Sequence, residues 1–177
     1  MGNFKEDITR IKAFVFDMDG VFTDGKITLM PDNQFLRTYH AKDGFATKYL
    51  ISKGYYVAII SGGQGDTLMN RFKNLGVEDI FINCFEKLKN LKSFMEKYDL
   101  EPDEVLYMGD DIPDIEPMKY VGISVCPADA AHEVRSVSRY VSGYKGGEGC
   151  VRDIIEQVLR SQNNWAKEFD GTFITSA

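Results

Sequence analysis

Only three cysteines occur in the 177 residues, Cys84, Cys126 and Cys150, and no two of them form a CxxC pair. That excludes a disulfide framework and a cysteine zinc site, and leaves them as reduced core residues. The two histidines, His40 and His132, have no partner at metal-ligand spacing and are expected to be structural or exposed. No apolar run approaches the roughly 18 residues of a membrane span. The opening MGNFKEDITR lacks the apolar region of a signal peptide, and Glu6 stands where a myristoylation signal needs Ser or Thr. A cytoplasmic protein that does not engage a membrane is expected. Basic residues are outnumbered, 21 against 27 acidic ones, for a net charge of −6 and a pI near 5.0. No broad basic surface for nucleic acid is available. An anionic small substrate stays compatible if positive charge is concentrated at its site. Repeats, low-complexity segments and linkers are all absent.

With 44% hydrophobic and 27% charged residues, the chain predicts a single globular domain over residues 1–177 with a core of its own. Short β-rich runs appear at 13–18 (AFVFDM), 56–61 (YVAIIS), 79–84 (DIFINC), 105–109 (VLYMG) and 122–126 (GISVC). The first, second and fourth are nearly continuous in apolar residues, as strands covered on both faces of a parallel sheet should be. Helical stripes lie between them: Leu68, Phe72 and Leu75, then Leu88, Leu91, Met95 and Tyr98. Val151, Ile154, Ile155, Val158 and Leu159 make a closing helix. This alternation predicts an α/β fold, a doubly wound Rossmann-like parallel sheet whose ligands sit beyond the carboxyl ends of its strands. Residues 26–40 break the pattern. Two short runs there flank Pro31-Asp32-Asn33 and read as a β-hairpin flap in place of a cap domain.

The strand ends carry the chemistry. The first ends in Asp17-Met18-Asp19, the second in Ser61-Gly62-Gly63, and the fourth in GDDIPD, with Asp110, Asp111 and Asp114. Lys87 opens the helix after the third. In a parallel sheet these meet at one edge. Like charges at such range are unfavourable without a cation, and a carboxylate cluster with a hydroxyl, exposed N–H groups and one ammonium suits metal-assisted phosphoryl transfer. Mg²⁺ fits, because it takes one or two carboxylates together with substrate phosphate and water. Asp17 is then the nucleophile and Asp19 the acid/base. Ser61, Gly62 and Lys87 are the phosphate ligands. Taken singly, each piece has an ordinary explanation: DxD as loop acids, Ser-Gly-Gly as a turn, Lys87 as part of a solvated face with Lys89 and Lys92, GDDIPD as a capped loop. Their order along the chain argues against coincidence.

FDMDGVFTDG, IISGG, Lys87 and GDDIPD resemble, in order and across about residues 13–114, the four motifs of the haloacid dehalogenase superfamily. The resemblance implies a metal site of Asp17, Asp19 (through its main-chain carbonyl) and Asp110, supported by Asp111 and Asp114. Within the superfamily, DGVFTDG, the hairpin, AKDGFA at 41–46 and GGEGCVRD at 146–153 resemble the cap-less 3-deoxy-D-manno-octulosonate 8-phosphate phosphatases. Those are homotetramers in which a neighbouring subunit covers the site. The implied substrate is a phosphorylated sugar acid, hydrolysed through an aspartyl-phosphate. The alternative is a nine-carbon keto-acid 9-phosphate of the KDN or sialic acid type. Its phosphatases carry Glu and Lys after the hydroxyl turn, where Gly63 and Gln64 stand here. Lys42, in place of the subfamily's usual Arg, and Arg71 are further candidate substrate ligands. The tail from 163 to 177, with Trp165, Phe169, Phe173 and Ile174, is a candidate to reach a neighbour's site.

Two rivals belong to other classes. Response-regulator receivers place acids, a hydroxyl and a lysine at comparable strand ends, but their acidic pair comes early and the acceptor Asp later, in a shorter module. A non-catalytic phospho-acceptor or binding relative is the other, and the intact Asp17, Asp19 and Asp110 argue against it.

Overall fold

Ala13–Phe16, four residues with no polar side chain, form β1, and all four are fully buried. A strand covered on both faces requires that. The computed structural model describes residues 3–31 and 35–166. Helix α1 (Phe4–Asp7) precedes β1. The hairpin strands β2 (Thr28–Leu29) and β3 (Phe35–Leu36) follow it. The chain continues through α2 (Ala41–Ser52), β4 (Tyr56–Ile60), α3 (Asp66–Asn74), β5 (Asp79–Phe81), α4 (Lys87–Lys97) and β6 (Val105–Met108). It ends with α5 (Ile115–Tyr120), β7 (Ile123–Cys126), α6 (His132–Val137), β8 (Tyr140–Val141) and α7 (Cys150–Ser161).

Six strands make one parallel sheet in the order β5-β4-β1-β6-β7-β8. The order reverses beside β1, which pairs with β4 on one side and β6 on the other; Phe16 stands opposite both Ile59 and Met108. The doubly wound α/β expectation holds, and all five strands read from the sequence are present. Phe14, Phe16, Leu106 and Met108 face one core with Leu68, Phe72 and the α7 stripe. Ala13, Val15, Val105 and Tyr107 face a second core with Leu91, Phe94 and Met95. The three cysteines are buried thiols. Among the described residues no helix is long and apolar enough to cross a membrane.

Five elements escaped the sequence reading: α1, α2, α5, α6 and β8. Helix α2 buries Asp43, Gly44, Ala46 and Thr47 beside Tyr49 and Leu50, so its inner face shows no apolar stripe. Its Asp43 is tied to α7 by the Arg152 N–H, which donates to Oδ1 at 2.8 Å. The sheet-edge strand β8 is only two residues long. The hairpin forms as read, with Thr28 opposite Leu36, and its Leu29 (74%) and Leu36 (59%) are exposed.

The GGEG segment braces the loop that leaves β1. The Gly147 N–H donates to the Val21 carbonyl at 3.0 Å and the Cys150 thiol to the same oxygen at 3.2 Å. A β-carbon on Gly146 would meet the Gly20 carbonyl oxygen at 1.9 Å. Backbone cannot yield there as a flexible side chain does. Gly146→Ala is therefore expected to cost about 1–3 kcal/mol of unfolding free energy. Gly143→Ala, with nothing within 4 Å of the added atom, should stay within about 0.5 kcal/mol of the parent. Urea unfolding of both variants checks this.

Candidate active site

Strand register brings the sequence motifs to one edge. Asp17 is the first residue past β1 and its N–H donates to the Met108 carbonyl at 2.9 Å, which fixes it beside the end of β6. Ser61 is the first past β4, and its N–H donates to the Phe81 carbonyl. The Gly63 N–H in turn donates to Ser61 Oγ at 3.0 Å, folding the turn over the strand end. Gly20, at φ +87°, turns the chain after Asp19, and a β-carbon on it would lie 2.0 Å from Asp110 Oδ2. Asp110 is seated against that glycine.

Asp17, Asp110 and Asp114 each bring a carboxylate oxygen within 4.8 Å of the others. Asp114 is fully buried and fully satisfied. Its Oδ1 accepts from Lys87 Nζ at 2.7 Å and from the Tyr107 hydroxyl at 2.8 Å, and its Oδ2 accepts from the N–H groups of Asp110 and Asp111. Asp111 itself is exposed. Lys87 Nζ also lies 3.1 Å from Asp17 Oδ1, an ion-pair contact outside hydrogen-bonding geometry. Asp17 Oδ1 and Asp110 Oδ1 are buried without a hydrogen-bond partner. One ammonium thus faces three carboxylates, and the two orphan oxygens belong to the residues expected to bind a metal. That donor set, hard, anionic and short of positive charge, fits a divalent cation.

The electrostatics say the same. Burial, followed by the charge of Asp114, pushes the Asp17 carboxyl up to about 7 against the pull of Lys87. Burial and then Asp17 push Asp110 up to about 8. Burial alone would lower Lys87, but Asp17 and Asp114 outweigh it and hold the ammonium above the usual lysine value.

Asp19 stands apart from this cluster and lines a neighbouring cleft of about 550 Å³ with Gly62, Gly63 and Gln64. Both its oxygens are occupied by Arg37, at 2.8 Å from Nε and 3.0 Å from Nη2, with Thr23 Oγ1 3.3 Å from Oδ1. Arg37, Thr23, Tyr107, Asn83 and Phe85 were not singled out from the sequence. Asn83 at φ +53° and the 86% exposed Phe85 edge the cleft. Arg37 gave no signal because its partner lies 18 residues away across the hairpin.

Two expected ligands lie away from the Asp19 cleft within this subunit. Lys42 is exposed and lines a second cleft with His40, Tyr144 and Arg152; the start of α2 carries it there. Arg71 is held on α3 over the Tyr39 ring, 5.7 Å from its centroid, and does not line the cleft beside Asp19. Trp165, at the start of the tail, has contacts within its own subunit. It packs edge-on against Tyr49 of its own chain, with Arg152 and Arg160 over its faces. Phe169, Phe173 and Ile174 lie outside the described residues.

Removing one of the crowded acids gives a signed test. A carboxyl held above its unfolded value contributes stability that is lost as pH rises through the folded value. In EDTA, Asp110→Asn should therefore melt above the parent at about pH 8.5. The gap should close toward about pH 5, where the folded parent has taken up the proton. Each kcal/mol is worth about 2–4 °C at this size. A gap independent of pH would remove the charge surplus from the account.

Comparison with known proteins agrees with this geometry. Residues 79–154 match the haloacid dehalogenase-like hydrolase family. The 3-deoxy-D-manno-octulosonate 8-phosphate phosphatase of Yersinia pestis is 32% identical over 153 residues, 86% of this chain and 82% of the relative. The crystal structure of the Moraxella catarrhalis phosphatase of that name, in complex with magnesium, phosphate and KDO, superposes with a TM-score of 0.87 at 30% identity, covering 90% of this chain and 92% of that one. The cobalt-bound Haemophilus influenzae phosphatase gives 0.86 at 28% identity, covering 89% and 92%. Motif order, strand-end geometry and near full-length similarity converge: the chain belongs to the haloacid dehalogenase-like hydrolases, within the cap-less family of the 3-deoxy-D-manno-octulosonate 8-phosphate phosphatases.

Proposed function

We propose that this protein hydrolyses 3-deoxy-D-manno-octulosonate 8-phosphate to the free sugar acid and phosphate, using Mg²⁺ and an aspartyl-phosphate intermediate. The observation that carries the reading is the pair of buried oxygens on Asp17 and Asp110 that accept no hydrogen bond, with Lys87 as the nearby cation. It occurs in a chain similar over 86% of its length to phosphatases of that ester.

Asp17, Asp110 and the main-chain carbonyl of Asp19 hold the metal. Bound there, Mg²⁺ supplies neutralisation of the surplus carboxylate charge and polarises the phosphoryl group. Asp17 attacks phosphorus with a carboxylate oxygen, and the bond from phosphorus to the sugar oxygen breaks. Asp19 gives the departing alkoxide its proton. The resulting acyl phosphate on Asp17 is attacked by water, whose proton Asp19 takes, and phosphate leaves with Asp17 restored as a carboxylate. Lys87, Ser61 Oγ and the Gly62 N–H stabilise the phosphoryl oxygens. Asp114 fixes Lys87 and the Asp110 backbone, and Asp111 supports the same turn.

An open site on a sheet edge needs cover from water. The exposed Ile27, Leu29, Phe35 and Leu36 of the hairpin are too apolar for a lone two-stranded ribbon. Their packing against other copies accounts for both facts and supports reading the enzyme as the homotetramer that the family resemblance implies.

Purified protein should release phosphate from 3-deoxy-D-manno-octulosonate 8-phosphate with Mg²⁺, stop in EDTA, and stop in a folded Asp17→Asn variant. Sustained turnover by that variant would sink the nucleophile assignment. Lys87→Ala should lower kcat by about 10²-fold or more, as loss of a transition-state charge contact does. Lys89→Ala and Lys92→Ala should match the parent. Equal losses from all three would make the lysines a general surface field.

A further inference from the structure

The cleft beside Asp19 presents one cationic side chain among its described residues, Arg37. Apart from Asp19, the side chains around it are neutral, among them Gln64, Asn83 and Phe85. A sugar-acid phosphate brings a carboxylate as well as a phosphoryl group. The lysine of the phosphoryl site is buried between Asp17 and Asp114, and Lys42 lies in another cleft. The substrate carboxylate therefore has one fork to meet within this subunit.

Arg37 is already engaged, bidentate on Asp19, with its side chain 7% exposed. In that arrangement both Asp19 oxygens accept from the guanidinium, so neither is free to carry the proton that a leaving oxygen needs. The pair must open for Asp19 to act. A guanidinium binds any carboxylate through the same two parallel N–H bonds, so exchanging Asp19 for a substrate carboxylate conserves charge and hydrogen-bond number. Arg37 is placed to move, because it follows β3 of the exposed hairpin instead of sitting on the sheet.

We propose that Arg37 is the carboxylate-recognising residue of this site, and that it changes partner from Asp19 to the substrate carboxylate on binding, so that recognition of the acid frees the proton donor. The inference rests on the phosphatase reading above and adds to it a residue that selects the substrate class. Phosphate esters without a carboxylate leave the Arg37–Asp19 pair closed and react slowly even where they fit.

The test compares steady-state kinetics of the parent, Arg37→Gln and Arg37→Lys on two esters. One is 3-deoxy-D-manno-octulosonate 8-phosphate; the other is an aldohexose 6-phosphate, which has no carboxylate. Arg37→Gln should lower kcat/KM on the acid by about ten- to a hundredfold, mainly through KM, the scale for hydrogen bonds to a charged group. With Asp19 released from the fork, kcat on the neutral ester should rise, so the preference for acid over neutral ester should fall by more than that factor. Arg37→Lys, which keeps the charge without the fork, should fall between. An unchanged preference in Arg37→Gln, whether both activities drop together or neither drops, would overturn the proposal while leaving the phosphatase reading intact. A parent enzyme inactive on both esters with Mg²⁺ would overturn that reading and the proposal with it.

Discussion

Lys87 holds the site together. Its ammonium bridges Asp114 at 2.7 Å and Asp17 at 3.1 Å, with all three side chains nearly or fully buried. Removing one partner from such a buried set leaves an uncompensated charge, a loss on the order of 3–5 kcal/mol. The arrangement is also incomplete by design, because one cation cannot balance three carboxylates. Asp114 takes most of what Lys87 offers, helped by the Tyr107 hydroxyl, which burial and then Asp114 keep protonated far above the ordinary tyrosine value. Asp17 and Asp110 are left with the deficit. The protein builds demand for a metal by satisfying one carboxylate thoroughly and two poorly.

Around that centre the labour is divided between rigid and movable parts. The metal residues stand at ends of adjacent parallel strands, where backbone bonds such as Asp17 N–H to Met108 O leave little freedom. The carboxylate of Asp19, the proposed acid/base, is held by side chains, from Arg37 on the hairpin and Thr23 in its own loop. The GGEG brace lies on the opposite side of that loop and touches it through backbone. Its resemblance to a family signature thus has a local cause: only glycine permits so close an approach.

What the sequence made legible follows from periodicity and order. Buried parallel strands announce themselves as unbroken apolar runs, so the placement of Asp17, Ser61 and Asp110 was readable once a parallel sheet was inferred. Lys87 was readable only from its position in the series, since Lys89 and Lys92 look the same locally. Helix α2 was not, because its core-facing Asp43, Gly44 and Thr47 do not count as apolar. Arg37 was not, because TLMPDNQFLRTYH gives no local sign that one arginine turns inward. Lys42 was expected at the anion site because it stands where the resembled subfamily has Arg, and Arg71 was expected there as a further substrate ligand. Side-chain direction, which sequence does not carry, sends one to another cleft and the other onto a tyrosine face.

The central place of β1 also has a temporal meaning. It is the first strand of the main sheet to be synthesised, yet its partners begin only at Tyr56 and Val105. Until Val105 emerges the segment AFVF has at most one neighbour, and exposed apolar strands of this kind are prone to aggregate during folding. Pairing across such separations closes slowly compared with local helices. Asp17 therefore emerges early but meets Asp110 only when β6 docks. A stalled or clipped chain that lacks β6 carries Asp17 without the Asp110 and Asp114 carboxylates that complete its cluster.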